Sequence, residues 1–478
     1  MIPYTCHFFF FYAYRCISHL IYLCAYTKNV NFAHTKTKSA NYNCNHYMKI
    51  FTHLITLRNL IFTSALLTIS AIQSSAAENA PLSEYDLNRP IGWGAMSGFE
   101  VTGGEGGEEV IVTSEAEFEE AITRKNPITQ ERDVPLIIYV KGEIEFTQMH
   151  TWHVKNKTVL GLPGSRIYSK QRTKKNSGIL KFSGSSNGAC ENIILRNLTI
   201  QGAGAYDVNG DDALLFQGVQ RIWVDHCTIG DGVDSSFDCN HDSDYICVSW
   251  CHMIYKIPPM AGGSETDDHR FCSTWGASDK QTESENHLNT TFVNCWWDEG
   301  VMERAPRVRF GKVHIVNNYY TSTNNHYSIG YGYKSNIYAE KCWFADKVTP
   351  TKDYTDAKHG YPDYNLQITD CHGQSDIKQK VGEATYFNPD DYYSYEGFDV
   401  SLVPSVVGNA NTGAGATLMV EVGKGVTGYA NTPTAINNIN GNREAPEFAK
   451  KEDFNLSGQR VSVTDKGLVI QRGMKVIR

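Results

Sequence analysis

The sequence predicts an all-β solenoid, a parallel β-helix, and three observations carry that reading. Short apolar segments rich in β-branched residues recur, among them Ile193–Ile200, Ile222–Ile229, Ile246–Ile254, Thr291–Trp297, Val313–Tyr320 and Ile337–Phe344. Each holds a Cys or Asn step followed by another apolar pair, and the equivalent positions Cys227, Cys251, Cys295, Asn318 and Cys342 lie 24, 44, 23 and 24 residues apart. Leu198 fits one repeat earlier, and the 44-residue step is expected to be a doubled or insert-bearing turn. A period in the low twenties, with strands separated by bends, is the signature of stacked β-coils.

The same repeat accounts for the cysteines. Of 13 in the chain, nine follow residue 77, an odd number that cannot all pair. Stacked coils would set equivalent cysteines about 4.8 Å apart along the axis. That spacing is compatible with a disulfide. A ladder of small, reduced, inward-facing thiols is the simpler reading. No two cysteine pairs show the spacing of a zinc site.

The chain divides in order. Residues 1–47, rich in Tyr, Phe, His and Cys without periodicity, stand before a complete export signal and are read as lying upstream of the true start at Met48. Over 48–77, Lys49 and Arg58 precede the apolar run Leu60–Ile72, and Ser74-Ser75-Ala76-Ala77 forms a small-residue cleavage site. The run is too short to span a bilayer comfortably. The solenoid is expected over 78–418, a Gly/Asn/Thr-rich linker over 419–453, and a hairpin-like tail over 454–478 that is similar to the sorting or surface-attachment segments of exported bacterial proteins or else caps the helix end. A secreted or cell-surface monomer is therefore expected. A net charge of −8 argues against general nucleic-acid binding.

Two local clusters carry chemistry. Arg304, Arg307 and Arg309 fall within six residues at the mouth of the strand Val313–Tyr320, where a strand would otherwise open on apolar residues. A guanidinium fork suits carboxylates and phosphates. Upstream lie Asp212, Asp234 and Asp238, the last two four residues apart and so able to share one face of a strand. Unpaired carboxylates on one face repel unless a cation sits among them, and hard oxygen ligands select calcium. A solvated basic turn and a solvated acidic rim are the plainer alternatives.

Further motifs accompany these clusters: Gly210-Asp211-Asp212-Ala213, Trp223-Val224-Asp225-His226, Val248-Ser249, Gly276-Ala277-Ser278-Asp279, and Arg304-Ala305-Pro306-Arg307-Val308-Arg309-Phe310-Gly311 before His314 and Asn317-Asn318. In this order the chain resembles the pectate lyases of polysaccharide lyase family 1, roughly from Leu87 to Leu418. The resemblance implies a right-handed parallel β-helix and calcium-dependent β-elimination on polygalacturonate or pectin. It places Asp212, Asp234 and Asp238 at calcium-ligand positions, Arg304 at the catalytic base and Arg309 at a substrate-binding arginine, with Arg307 expected to point away. Gly210 stands where some members carry a further ligand. For the substrate-binding lysine, Lys256 is the nearest candidate and Arg270 a second, because an insertion spans 258–270. The strand Trp223–His226 is read as structural. A pectin lyase acting on methyl-esterified polymer, a polygalacturonase-like hydrolase and a non-catalytic carbohydrate-binding β-helix are the alternatives. The retained aspartates disfavour the first, their clustering as one cation site the second, and Arg304 with Arg309 the third.

Overall fold

The computed structural model describes residues 87–184, 190–355, 364–373 and 387–431, with the backbone of 380–381 and of four strands between 453 and 477. The expected upstream segment 1–47 and export signal 48–77 lie outside the described residues.

Each turn of the chain follows one path: a strand of a first sheet, a one-residue corner, a short strand of a second sheet, a longer bend, then a strand of a third sheet. Repetition stacks the turns into a right-handed parallel β-helix. The first sheet has eleven strands, parallel from Glu108–Val112 to Asn365–Thr369 and closed by antiparallel Lys380–Val381. The second and third have eight strands each, from Glu143–Glu145 to Trp343–Phe344 and from His150–Trp152 to Thr351–Asp353.

Strand alternation turns every second residue inward, and parallel register aligns these residues in columns. In the first sheet one column reads Ile138, Val159, Leu195, Val224, Val248, Phe292, Ile315, Ala339 and Ile368. All are buried in one continuous core, each large apolar side chain contributing about 1.5–3 kcal/mol. Beneath the third sheet the rings of Phe182, Phe216, Phe237 and Trp275 contact in series at 5.2–5.9 Å between centroids.

The corner between first and second sheets is a single left-handed residue: Asn197, His226, Trp250, Asn294, Asn317, Lys341 or Asp370, with φ between 45° and 56°. Asn and Asp tolerate this conformation best. The residue after each corner points inward. There Cys227, Cys251, Cys295 and Cys342 each lie 3.2–3.6 Å from two main-chain carbonyls, one two residues back and one on the preceding coil. Asn318 donates its amide to the equivalent pair at 2.9 Å. The Cys/Asn equivalence is thus a shared task, a small donor satisfying orphan carbonyls in a tight corner. All nine cysteines described are free and buried. The 44-residue step is one insert-bearing coil, since His252 pairs directly with Trp296.

The helix Glu115–Ile122 covers the N-terminal end, with Ser114 capping Glu117 N and buried Phe118, Ala121 and Ile122 facing the core. Later segments strap the outside. Asn317 hydrogen-bonds both backbone groups of Phe398, and Asn197 does the same for Leu418. The residues from 419, expected to be linker, open with secondary structure. Leu418–Glu421 and Gly425–Tyr429 form an antiparallel hairpin that packs on Tyr139 and Leu160. Four short antiparallel strands between 453 and 477 make up the tail. Among the described residues no helix is long and apolar enough to cross a membrane.

Candidate active site

The outward face of the third sheet gathers the charged residues. Register builds one row across neighbouring coils: Lys181, Leu215, Asp238, Thr274, Arg307, Gly330 and Lys352. Inward-facing Phe216, Cys239, Trp275 and Val308 form the floor beneath it.

Asp238 lies in the strand Phe237–Asn240, and its Oδ1 accepts from Thr274 N at 2.8 Å. Asp234 precedes that strand, so convergence of the two comes from the bend through Ser235-Ser236 as well as from alternation. Its Oδ1 lies 2.8 Å from His269 Nε2. Asp212 stands one coil earlier, before Leu214–Gln217, and its Oδ1 is buried with no hydrogen-bond partner. Burial, then the charges of Asp238 and Asp234, raise the Asp212 carboxyl well above its ordinary value. Burial also raises Asp238, to about 7, with Arg304 pulling the other way. Three carboxylates held together against their own repulsion are a donor set that a hard cation would stabilise. Among the described residues no three acidic, His or Cys side chains already stand as a preassembled metal set. Oδ1 of Asp234 and of Asp238 lies within hydrogen-bond distance of His269 Nε2 and Thr274 N, and a carboxylate so engaged still offers lone pairs to a cation.

Arg304 occupies the left-handed region at φ 62°, a conformation costly for a residue with a long side chain. Its Cζ lies 4.5 Å over the Phe271 ring, its Nη1 donates to Thr274 Oγ1 at 3.2 Å, and its Nε is buried without an acceptor. Arg309 is anchored by Asp279 Oδ1 at 2.7 Å and by Gly276 O at 2.8 Å. Gly276 permits this approach: it sits at φ +85°, and a Cβ there would lie 2.9–3.0 Å from Arg309 O and Cβ.

Arg307, expected to point away, shares the outward face. Its neighbour Val308 turns inward instead, because strand alternation returns the same face every two residues. Lys256 opens the inserted loop; its side chain is exposed, while its N–H caps Asp231 Oδ1 at 2.8 Å. Arg270 closes that loop. The bridge between Ser235 and Phe271 sets Arg270 one coil beyond Asp234, where Asp268 binds its Nε and Nη2 at 2.7 and 2.6 Å. Sequence reasoning assigned no role to His269, Thr274 or Asp279. The Gly276–Asp279 motif was visible, but only the fold shows that Asp279 reaches Arg309. Trp223, Asp225 and His226 sit at the first corner, away from this row, as a structural reading requires.

Comparison with known proteins matches the pectate lyase family model over residues 88–417. A pectate trisaccharide-lyase of Bacillus licheniformis is 28% identical over 364 residues, covering 74% of this chain and 93% of that protein. A pectate lyase of Emericella nidulans is 31% identical over 241 residues, 49% of this chain and 62% of that one. Among solved structures, a polygalacturonate lyase fused to a self-assembling amphipathic peptide superposes with a TM-score of 0.51 at 19% identity, covering 70% of this chain and 99% of that one. That likeness shows the shared β-helix. The chain belongs to the pectate lyase family and is a polysaccharide lyase.

Proposed function

We propose that this protein is a secreted, calcium-dependent pectate lyase that cleaves α-1,4-linked polygalacturonate to unsaturated oligogalacturonides. The observation that carries the reading is the outward side of the third sheet, where three carboxylates, one with a partnerless buried oxygen, stand within three coils of three arginines. Such a surface suits a polymer bearing a carboxylate on every sugar.

In β-elimination the proton on C5 leaves, a C4–C5 double bond forms, and the C4–oxygen bond to the next sugar breaks, that oxygen then taking up a proton. Arg304 is the base directed at C5, and its contact with Phe271 and Thr274 fixes its position. Arg309, immobilised by Asp279 and Gly276, orients the uronate carboxylate. A second cation from the inserted loop, Lys256 or Arg270, would hold the same sugar; its position in line with Asp234 favours Arg270. Asp212, Asp234 and Asp238 would hold the calcium, whose charge stabilises the enolate-like carboxylate. A guanidinium is protonated at ordinary pH, so its base form grows with hydroxide and the activity optimum is alkaline. Incubation with polygalacturonate tests the reading. Ultraviolet-absorbing unsaturated product, abolished by EDTA and restored by calcium, is expected. Reducing ends without unsaturation, or an optimum well below neutral pH, would overturn it.

A further inference from the structure

From Arg307 onward the outward row holds a pair of cations, Arg307 and Lys352, that the chemistry above does not use. Arg307 lies with its Cζ 3.7 Å over the Tyr354 ring. Lys352, two strands on in the same row, holds its Nζ 5.1 Å from the centroids of both Tyr327 and Tyr354. Between the two cations stands Gly330. A Cβ there would lie 2.8 Å from the Tyr327 ring, 3.2 Å from Arg307 Cγ and 3.3 Å from the Tyr354 ring, so only glycine lets the rings and the guanidinium close over the strand. Arg307 Nε is buried with no acceptor. Among the described residues neither Arg307 nor Lys352 forms a salt bridge with a carboxylate, whereas Arg309 has Asp279. The aromatic faces stabilise the two charges but leave their donors without an anion.

The geometry points to a second uronate-binding station, formed by Arg307 and Lys352 on the Tyr327–Tyr354 rings around Gly330, which takes the carboxylate of an unesterified sugar distal to the scissile bond. The inference rests on the galacturonan reading above and deepens it by giving the cleft a second point that selects charge. Asp238 and Lys352 are four strand steps apart, roughly 19 Å at the usual strand spacing, so short oligomers anchored at the carboxylate cluster cannot reach Lys352. The station therefore favours long, demethylated chains.

Lys352→Ala and Lys352→Arg test it, with KM measured on oligogalacturonates from dimer to octamer. For Lys352→Ala, KM on the octamer should rise about tenfold, the worth of one charge-assisted contact, and on the dimer by less than about twofold. Lys352→Arg should restore octamer binding, and a methyl-esterified octamer should not register the Ala substitution. An equal penalty at every length, or none at any, would overturn the station. If the wild type formed no unsaturated product, the lyase reading would fail by itself. Calorimetric affinity for the octamer, wild type against Lys352→Ala, would still decide the station: a loss on substitution upholds it and equal affinities refute it.

Discussion

Two groups of charge in this β-helix differ in how they are compensated. At the first corner Asp225 is fully buried, and its oxygens receive Arg196 Nε at 2.8 Å, Ser249 Oγ at 2.6 Å and His226 Nδ1 at 2.9 Å. Burial by itself would raise its pKa, but His226 and Arg196 outweigh burial and hold the carboxyl below its ordinary value. Trp223 closes the network through Ser249 at 2.8 Å. On the third sheet Asp212 and Asp238 are only partly buried, yet both are raised. Their nearest charges include other carboxylates, and one Asp212 oxygen has no partner. A closed network is a structural device, whereas an open one stores unfavourable electrostatics that a ligand can relieve.

Substitutions should separate the two regions. The largest effect is expected at Arg304: Arg304→Ala should lower kcat on polygalacturonate by about 10³-fold while the melting temperature stays near wild type. A comparable fall in thermal stability would move Arg304 into the structural class. Next, Asp225→Asn should cost about 3 kcal/mol of unfolding free energy in denaturant titration, because it breaks a buried ion pair, with kcat changed by less than about threefold. A selective collapse of kcat in a stable Asp225→Asn protein would instead join the corner to the chemistry. Asp238→Asn should raise the calcium concentration for half-maximal activity beyond the about 10–100-fold that outer-shell losses cost. An unaltered calcium titration would detach Asp238 from the cation.

The smallest effect concerns pH. Because Asp212 and Asp238 are raised in the folded state, the fold binds more protons than the unfolded chain above the ordinary carboxyl value of about 4, for Asp238 up to about 7. Stability of the metal-free protein should fall as pH rises through that window. Added calcium should reverse the fall at pH 8 and do little at pH 4. Scanning calorimetry at the two pH values checks the sign, and a calcium effect larger at pH 4 would contradict it.

Much of this was legible in the chain. The repeat and the inward Cys/Asn position could be placed because periodicity survives without coordinates, and motif order nominated the six site positions. The inserted loop was visible too, but not that Arg270 at its end lines up with Asp234. Nor could spacing show that Arg307 faces outward, since the strand Arg307–Val308 is only two residues long. Tyr354 and Lys352 lie some fifty residues from Arg304 and carry no motif.

By itself the sequence determined the solenoid, through a side-chain period that buries columns of apolar residues beneath each sheet, and it determined which carboxylates and arginines are present. Only the tertiary structure decided which charges are satisfied. Arg309 finds Asp279, Asp225 finds Arg196 and His226, and Asp212 finds no donor for its buried oxygen. Such pairing depends on which residues of neighbouring coils come into register. That register is set by the lengths of the bends and by residues such as Gly276 and Gly330 that let side chains close over a strand, and it leaves no local trace in the order of amino acids.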